Sequence, residues 1–111
     1  MQFNIKATNV ELSDKIKDYA QKKMDKLEKY LGKIQVINAA MELEMTTKHH
    51  SKGDIYRTQI DLELPQELLT VEKTEEELFK AIDKAEDHMA EMIKKYKEKR
   101  QDRQRQAGEE E

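Results

Sequence analysis

The segment from Glu76 to Arg100 constrains the fold more than any other part of the chain. Charged residues fill more than half of it, yet its apolar residues keep the spacing of a single helix face. This apolar stripe consists of Leu78, Ile82, Ala85, Met89, Met92, Ile93 and Tyr96. A long amphipathic helix must bury such a stripe, so the sequence predicts a helix that packs on a sheet or on a second helix.

Four stretches have the pattern of β-strands, with alternating apolar and polar side chains or short runs of strand-forming residues. They are residues 1–7, 34–47, 55–64 and 68–73. In the second stretch the apolar positions change from even to odd numbers, which predicts a β-bulge near Asn38. Pro65 follows the third stretch and is expected to end that strand.

Two helices are predicted, one after the first strand and one after the fourth. Ser13 is a suitable N-cap for the first helix, and Gly32 follows its last apolar residue as a stop signal. Thr74 and Glu77 have the spacing of a capping box. The second helix is therefore expected to start there and to run to about Arg100 or beyond.

The resulting order, β-α-β-β-β-α, predicts an α+β two-layer sandwich. A crossover helix between the first two strands implies that these strands are parallel, and the later strands form an antiparallel meander. Both helices are expected on one face of the four-stranded sheet. We expect one domain over residues 1–100, followed by a frayed helix end and a disordered acidic tail over residues 101–111, where Ala107 is the one apolar residue.

The charged residues are sorted onto separate faces of both helices, which the net charge of -3 does not reveal. Within an arc of about 60°, the first helix carries Lys15, Lys22, Lys26, Lys29 and Lys33. Its other flank carries Asp14, Asp18, Asp25 and Glu28. Within about 100°, the second helix carries Lys80, Lys84, His88, Lys95 and Lys99, with Glu91 and Glu98 among them. Nearer its expected C-terminal end lie Lys94, Lys97 and Arg100.

Two interpretations of these lysine ridges remain open from the residues alone. The ridges are either solvated helix faces with intrahelical ion pairs or parts of one surface that binds phosphate groups. The second interpretation requires that both ridges meet on the same side of the sheet.

Other classes of function find little support in the sequence. The chain has no Cys, which excludes disulfides and thiolate chemistry, and no Trp, so stacking platforms for bases are not expected. No catalytic motif is present, so neither an enzyme nor a cofactor is expected. His49 and His50 lack a third ligand at useful spacing, and no metal site is predicted. Nothing resembles a signal peptide or a membrane span, which predicts a cytoplasmic protein without a membrane or small-molecule partner.

Two stretches of the chain resemble the ribosome hibernation-promoting factor and ribosome-associated inhibitor family, in its short form. In LFKAIDKAEDHMAEMIKKYKEK, Phe79, Ala81, Ile82 and Asp83 match a Tyr/Phe-x-Ala-Ile-Asp signature that a basic run follows. The stretch ATNVELSDKIKDYAQKKMDKLEKYLGKI is similar to the first helix of the family. Its matching residues are Tyr19, Lys22, Lys23, Leu27, Lys29 and Tyr30.

This resemblance implies a fold related to double-stranded-RNA-binding domains and a partner, the small ribosomal subunit. Binding at the decoding region of 16S rRNA is expected to block mRNA and tRNA sterically and to inhibit translation under stress or in stationary phase. The protein is expected to be a monomer off the ribosome. Together with the ridges, the resemblance predicts rRNA binding by Lys15, Lys22, Lys23, Lys26, Lys29, Lys80, Lys84, His88, Lys94, Lys95, Lys97, Lys99 and Arg100.

Two departures from the family pattern and two alternatives qualify this reading. Residues 88–92 replace a more basic stretch, which is expected to weaken the second ridge and to add pH dependence through His88. Long family members pair ribosomes through a second domain, and this chain is not expected to pair ribosomes by that route. A general double-stranded-RNA binder or a protein–protein interaction module are the alternatives. Reversal of Lys22, Lys26 and Lys29 to Glu is expected to abolish ribosome binding and to leave the fold intact.

Overall fold

The chain folds in the predicted order, β-α-β-β-β-α, in a computed structural model that describes residues 1–47 and 53–109. The elements are β1 (Asn4–Thr8), α1 (Asp14–Leu31), β2 (Asn38–Thr47), β3 (Asp54–Leu64), β4 (Glu67–Glu75) and α2 (Leu78–Glu109). His49 and His50 lie outside the described residues.

The four strands form one mixed sheet in the order β1-β2-β3-β4. β1 is parallel to β2, and the other neighbours are antiparallel, as predicted. One row across the sheet joins Ile5, Met41, Ile60 and Val71, and these side chains all point to the face that the helices cover. The two-layer α+β fold is therefore confirmed.

The core lies between this sheet face and the two helices. From α1 it takes Ala20, Met24, Leu27 and Leu31. From α2 it takes Leu78, Ala81, Ile82, Ala85, Met89, Ile93 and Tyr96. Met24 of α1 is fully buried, whereas Met92, which was expected in the apolar stripe of α2, is only half-buried.

The local signals around α1 are correct, and those around β2 and α2 are wrong. The Ser13 hydroxyl accepts the N–H of Ile16 at 3.2 Å, and Gly32 ends the helix at a positive φ of 60°. β2 starts only at Asn38 and pairs with β3 in unbroken register, so there is no bulge. Residues 34–37 precede the strand, which explains the change in apolar positions without an inserted residue.

The expected capping box at Thr74 is not formed because Thr74 belongs to β4 and pairs with Arg57 of β3. The helix α2 starts at Leu78 instead, and the Glu77 carbonyl accepts the N–H of Ala81 at 3.0 Å. Of the acidic residues before α2, Glu75 is therefore the last residue of β4, and Glu76 and Glu77 lie in the connection between β4 and α2. Pairing of β4 with β3 overrides the local helix signal.

The helix α2 runs well past the sheet, to Glu109. It is fastened to the turn between β3 and β4, where the Tyr96 hydroxyl donates to the Pro65 carbonyl at 2.9 Å. Two turns further along the helix axis, Arg103 donates to the Gln66 side chain at 2.7 Å. Residues 101–109 are helical, and the division of the chain near Arg100 into a domain and a tail stays a prediction.

Candidate nucleic-acid interface

The two helices lie side by side on the sheet and run in the same direction. Contacts between them advance together along both chains: Lys15 with Phe79, Tyr19 with Asp83, Lys26 with Glu86, and Tyr30 with Lys97. Both lysine ridges therefore belong to one layer of the molecule, the layer opposite the sheet. This is the arrangement that the phosphate-binding interpretation requires.

The signature residues at the start of α2 form the packing contact with α1. Ala81 and Ile82 are fully buried, and the Phe79 ring meets the Tyr19 ring edge-to-face with centroids 4.8 Å apart. The Tyr19 hydroxyl donates to Asp83. The motif that carries the family resemblance thus fixes how the two helices pack, and Asp83 serves that packing.

Lys23 belongs to the same contact between α1 and α2. Its ammonium lies 3.1 Å from the Asp83 carboxylate and 5.4 Å from the centre of the Tyr19 ring. Partial burial lowers the pKa of Lys23, but the hydrogen bond to Asp83 and the charges of Asp83 and its neighbours together outweigh burial, and the pKa is raised. The hydrogen bond to Asp83 also raises the pKa of Tyr19, since it favours the protonated phenol. Lys23, a predicted rRNA ligand, is thus already paired.

A second ion pair between the helices joins Lys26 to Glu86 at 3.3 Å. Glu86 is only 1% exposed, whereas Lys26 is 49% exposed. The ion pair therefore places the lysine cation beside a buried carboxylate. The ion pair with Glu86 raises the pKa of Lys26. Reversal of Lys26 to Glu would place two carboxylates together. We therefore expect this substitution to destabilise the fold, which revises the prediction for Lys26.

Several of the predicted α2 cations also have partners within the molecule. Lys84 pairs with Glu75, and this contact lowers the pKa of Glu75. Lys99 lies 3.7 Å from Glu67. The remaining two contacts are from Lys97 to the Tyr30 carbonyl at 2.8 Å and from Arg100 to the Tyr96 hydroxyl at 3.3 Å.

The other predicted lysines are exposed and have no carboxylate partner in residues 1–47 and 53–109. We call this set the free lysine surface; its members are Lys15, Lys22, Lys29, Lys80, Lys94 and Lys95. The ammonium group of Lys15 lies over the Phe79 ring, 5.6 Å from its centre, at the distance of a cation–π contact. His88, also predicted, is exposed on the same helix. These side chains can meet an incoming anion without first breaking an internal ion pair.

Two arginines were not predicted as site residues because their segment was expected to be a tail. Arg103 and Arg105 lie on α2 and are exposed. The helical spacing of the arginines and lysines from Lys97 onward was the signal that could have revealed them. The expectation that Lys94, Lys97 and Arg100 lie near the helix C-terminus is wrong, since α2 continues to Glu109.

Other kinds of site find no support in the part of the chain that the structure describes. No group of three or more histidine or acidic residues there could hold a metal ion. Among these residues no helix is long and apolar enough to cross a membrane. The described residues do present a parallel pair of helices with exposed cations.

The fold and this surface define a class: small α+β domains that carry cations on a helical layer above a mixed sheet. The chain belongs to the family described as sigma 54 modulation protein / S30EA ribosomal protein, whose model matches residues 3–101. The resemblance to ribosome hibernation factors is thereby confirmed.

Relatives with curated names agree. The chain is 30% identical over 99 residues to a ribosome hibernation promotion factor of Lactococcus lactis, covering 87% of this chain and 50% of the relative. It is 27% identical over 101 residues to the ribosome hibernation promoting factor of Pseudomonas putida, covering 91% of each. The chain thus spans about half the length of the Lactococcus relative and most of the Pseudomonas one.

Solved structures support the same fold. The N-terminal domain of Thermus thermophilus Protein Y superposes with a TM-score of 0.68 at 26% identity, over 86% of this chain and 99% of that one. A ribosomal subunit interface protein from Coxiella burnetii gives 0.67 at 16% identity, over 87% and 98%. At that identity the Coxiella likeness speaks for the fold alone.

Proposed function

We propose that this protein binds the small ribosomal subunit at the decoding region of 16S rRNA. It occupies the space of mRNA and of the tRNA anticodon stems, and inhibits translation sterically under stress or in stationary phase. It acts in the cytoplasm, as a monomer off the ribosome, and without catalysis. Membership of the family and the names of the relatives support the ribosome as partner.

The observation that carries the proposal is the free lysine surface on the parallel helices. Folded RNA exposes closely spaced phosphates, and lysines bind them as mobile point charges that need no base recognition. Contacts to shape and phosphate suffice for a folded RNA cleft, so the lack of stacking aromatics is no obstacle. A net charge of -3 is compatible with this role because the lysines are gathered on one layer.

The predicted lysine and arginine ligands of rRNA fall into two groups in this proposal. The free lysines bind phosphate directly. The paired cations contribute their charge from fixed positions; they are Lys23, Lys26, Lys84, Lys97, Lys99 and Arg100. The first group is therefore expected to dominate the salt dependence of binding.

Co-sedimentation of the purified protein with separated ribosomal subunits tests the proposal. We expect binding to the small subunit at low salt, release at high salt, and displacement by tRNA together with mRNA. The same run with the large subunit is the internal control. Equal binding to both subunits, or small-subunit binding that tRNA and mRNA do not displace, would refute the decoding-region assignment.

A further inference from the structure

The sheet face that points away from the helices is uncovered in the described part of the chain, and its charge is opposite to that of the free lysine surface. Side chains alternate along each strand, so the neighbours of the buried core residues point outward. The outward carboxylates are Glu42, Glu44, Asp61, Glu63 and Glu72. The outward cations of these strands are Lys6 and Arg57.

Arg57 shows how this face holds a guanidinium group. Its Nε donates to Glu44 at 3.1 Å, a terminal nitrogen donates to Glu42, and the other donates to Gln59 at 3.0 Å. The side chain is only 15% exposed. Burial lowers the pKa of Arg57, but the bonds to Glu44 and Glu42 outweigh it, and the guanidinium stays charged. One complete guanidinium site therefore exists on the sheet.

Two further outward carboxylates, Asp61 and Glu63, lie beside this site and have no cation partner among the described residues. Gln59, whose oxygen accepts from Arg57, turns its amide nitrogen to both carboxylate oxygens of Asp61 at 3.2 Å. Asp61 is thereby oriented by the same network that holds Arg57. Glu63 lies two residues further along β3 on the same face and is exposed.

The surface around Asp61 has room for a side chain. A depression of ≈ 430 Å³ is lined by Asn38, Ala40, Gln59, Asp61, Glu63, Leu68 and Thr70, among others. Its floor includes the small residue Ala40, and one border is Leu68, which is 63% exposed. Acidic groups beside an exposed aliphatic side chain suit a ligand that has a cationic head and an apolar stem.

We propose that this depression binds an arginine side chain of an extended, basic protein segment. Arginine fits better than lysine because its planar fork can take two carboxylate oxygens at once, and its alkyl stem can lie on Leu68. A nucleic acid is disfavoured because the face is acidic. The sheet can thus hold a basic protein while the free lysine surface holds RNA. This inference does not depend on RNA binding and goes beyond the proposed function.

A titration followed by NMR tests the proposal, with isotope-labelled protein and a synthetic ten-residue peptide that alternates arginine and threonine. The control peptide carries citrulline, an uncharged isostere, in place of each arginine. We expect the backbone amide signals of Asp61, Glu63, Leu68 and Thr70 to shift with the arginine peptide only. Shifts of similar size with the citrulline peptide, or shifts confined to other faces, would overturn the proposal.

Two double variants of matched charge complete the test. Asp61→Asn/Glu63→Gln should weaken peptide binding by about tenfold or more, while Glu11→Gln/Asp18→Asn, which alters two exposed acids elsewhere, should leave it unchanged. Equal affinity of both variants would also overturn the proposal.

The variant Lys22→Ala/Lys29→Ala should keep peptide binding and lose small-subunit affinity, so failure of this inference and failure of the proposed function are distinguishable. Signals of the sheet face that move on dilution of the free protein would assign the face to a second copy instead.

Discussion

Removal of two free lysines gives the most quantitative prediction. Lys22 and Lys29 lie two helical turns apart on α1, are exposed, and have no carboxylate partner in the described residues. The variant Lys22→Ala/Lys29→Ala should therefore remove two phosphate contacts and leave both inter-helix ion pairs in place. Because alanine favours helix, α1 should fold as before.

The size of the effect follows from counterion release. Each lysine that neutralises a phosphate contributes about 0.7 to 0.9 to the slope of log affinity against log salt concentration. Loss of two contacts should make this slope shallower by about 1.4 to 1.8. Between 50 and 200 mM salt, a fourfold change, the wild-type protein should lose roughly 7 to 12 times more affinity than the variant.

Fluorescence anisotropy of labelled protein with small subunits, at four or more salt concentrations, measures both slopes. The matched control is Lys6→Ala/Lys17→Ala, which makes the same change in net charge on the uncovered sheet face and on the side of α1 away from α2. An unchanged slope in the Lys22/Lys29 variant would refute the reasoning. An equal change in the control would show that net charge, rather than the free lysine surface, governs binding.

Three further substitutions test the packing that positions this surface, each by urea unfolding. Lys26→Ala should lower the unfolding midpoint because it leaves the Glu86 carboxylate buried without its cation, and adding Glu86→Met should restore the midpoint. Tyr19→Phe should cost about 1 kcal/mol through loss of the bond to Asp83. The hydrogen bond to Asp83 raises the pKa of Tyr19 in the folded state. The stabilisation by the Tyr19 hydroxyl is therefore complete below the ordinary pKa of tyrosine and is lost as the pH rises through the folded-state pKa. Above that range, the free energy of unfolding should have fallen less in Tyr19→Phe than in wild type. Thr58→Val should stabilise by about 1 kcal/mol, because the buried Thr58 hydroxyl has no hydrogen-bond partner in the described residues; an unchanged or lower midpoint would show that the hydroxyl is satisfied.

Local signals predicted the ends of α1 correctly because both depend on adjacent residues. The Ser13 hydroxyl reaches the N–H three residues later, and Gly32 adopts its positive φ in the same turn. The same type of signal failed at Thr74, where a capping box was expected. At this position, pairing of residue 74 with residue 57 in the sheet is favoured over the start of a helix. The sequence of residues 74–77 alone contains no information about that strand partner.

The sorting of charges onto helix faces could be read from the sequence, whereas the pairing of those charges could not. Periodicity placed Lys26 correctly on the lysine ridge and off the apolar stripe. Its partner Glu86 lies 60 residues away and becomes buried only when α2 packs on α1. Which lysines are free depends on that packing geometry, so the free lysine surface is a property of the tertiary structure.

Directed hydroxyl-radical probing of rRNA tests the central claim most directly. The chain contains no Cys, so one introduced cysteine carries the iron chelate at a known place. Asp87→Cys places the chelate at an exposed position of α2, and Thr70→Cys places it on the uncovered sheet face. With small subunits, the α2 probe should cleave 16S rRNA at the decoding region far more strongly than the sheet probe. Stronger cleavage there from the sheet probe, or cleavage by the α2 probe only elsewhere, would contradict the account.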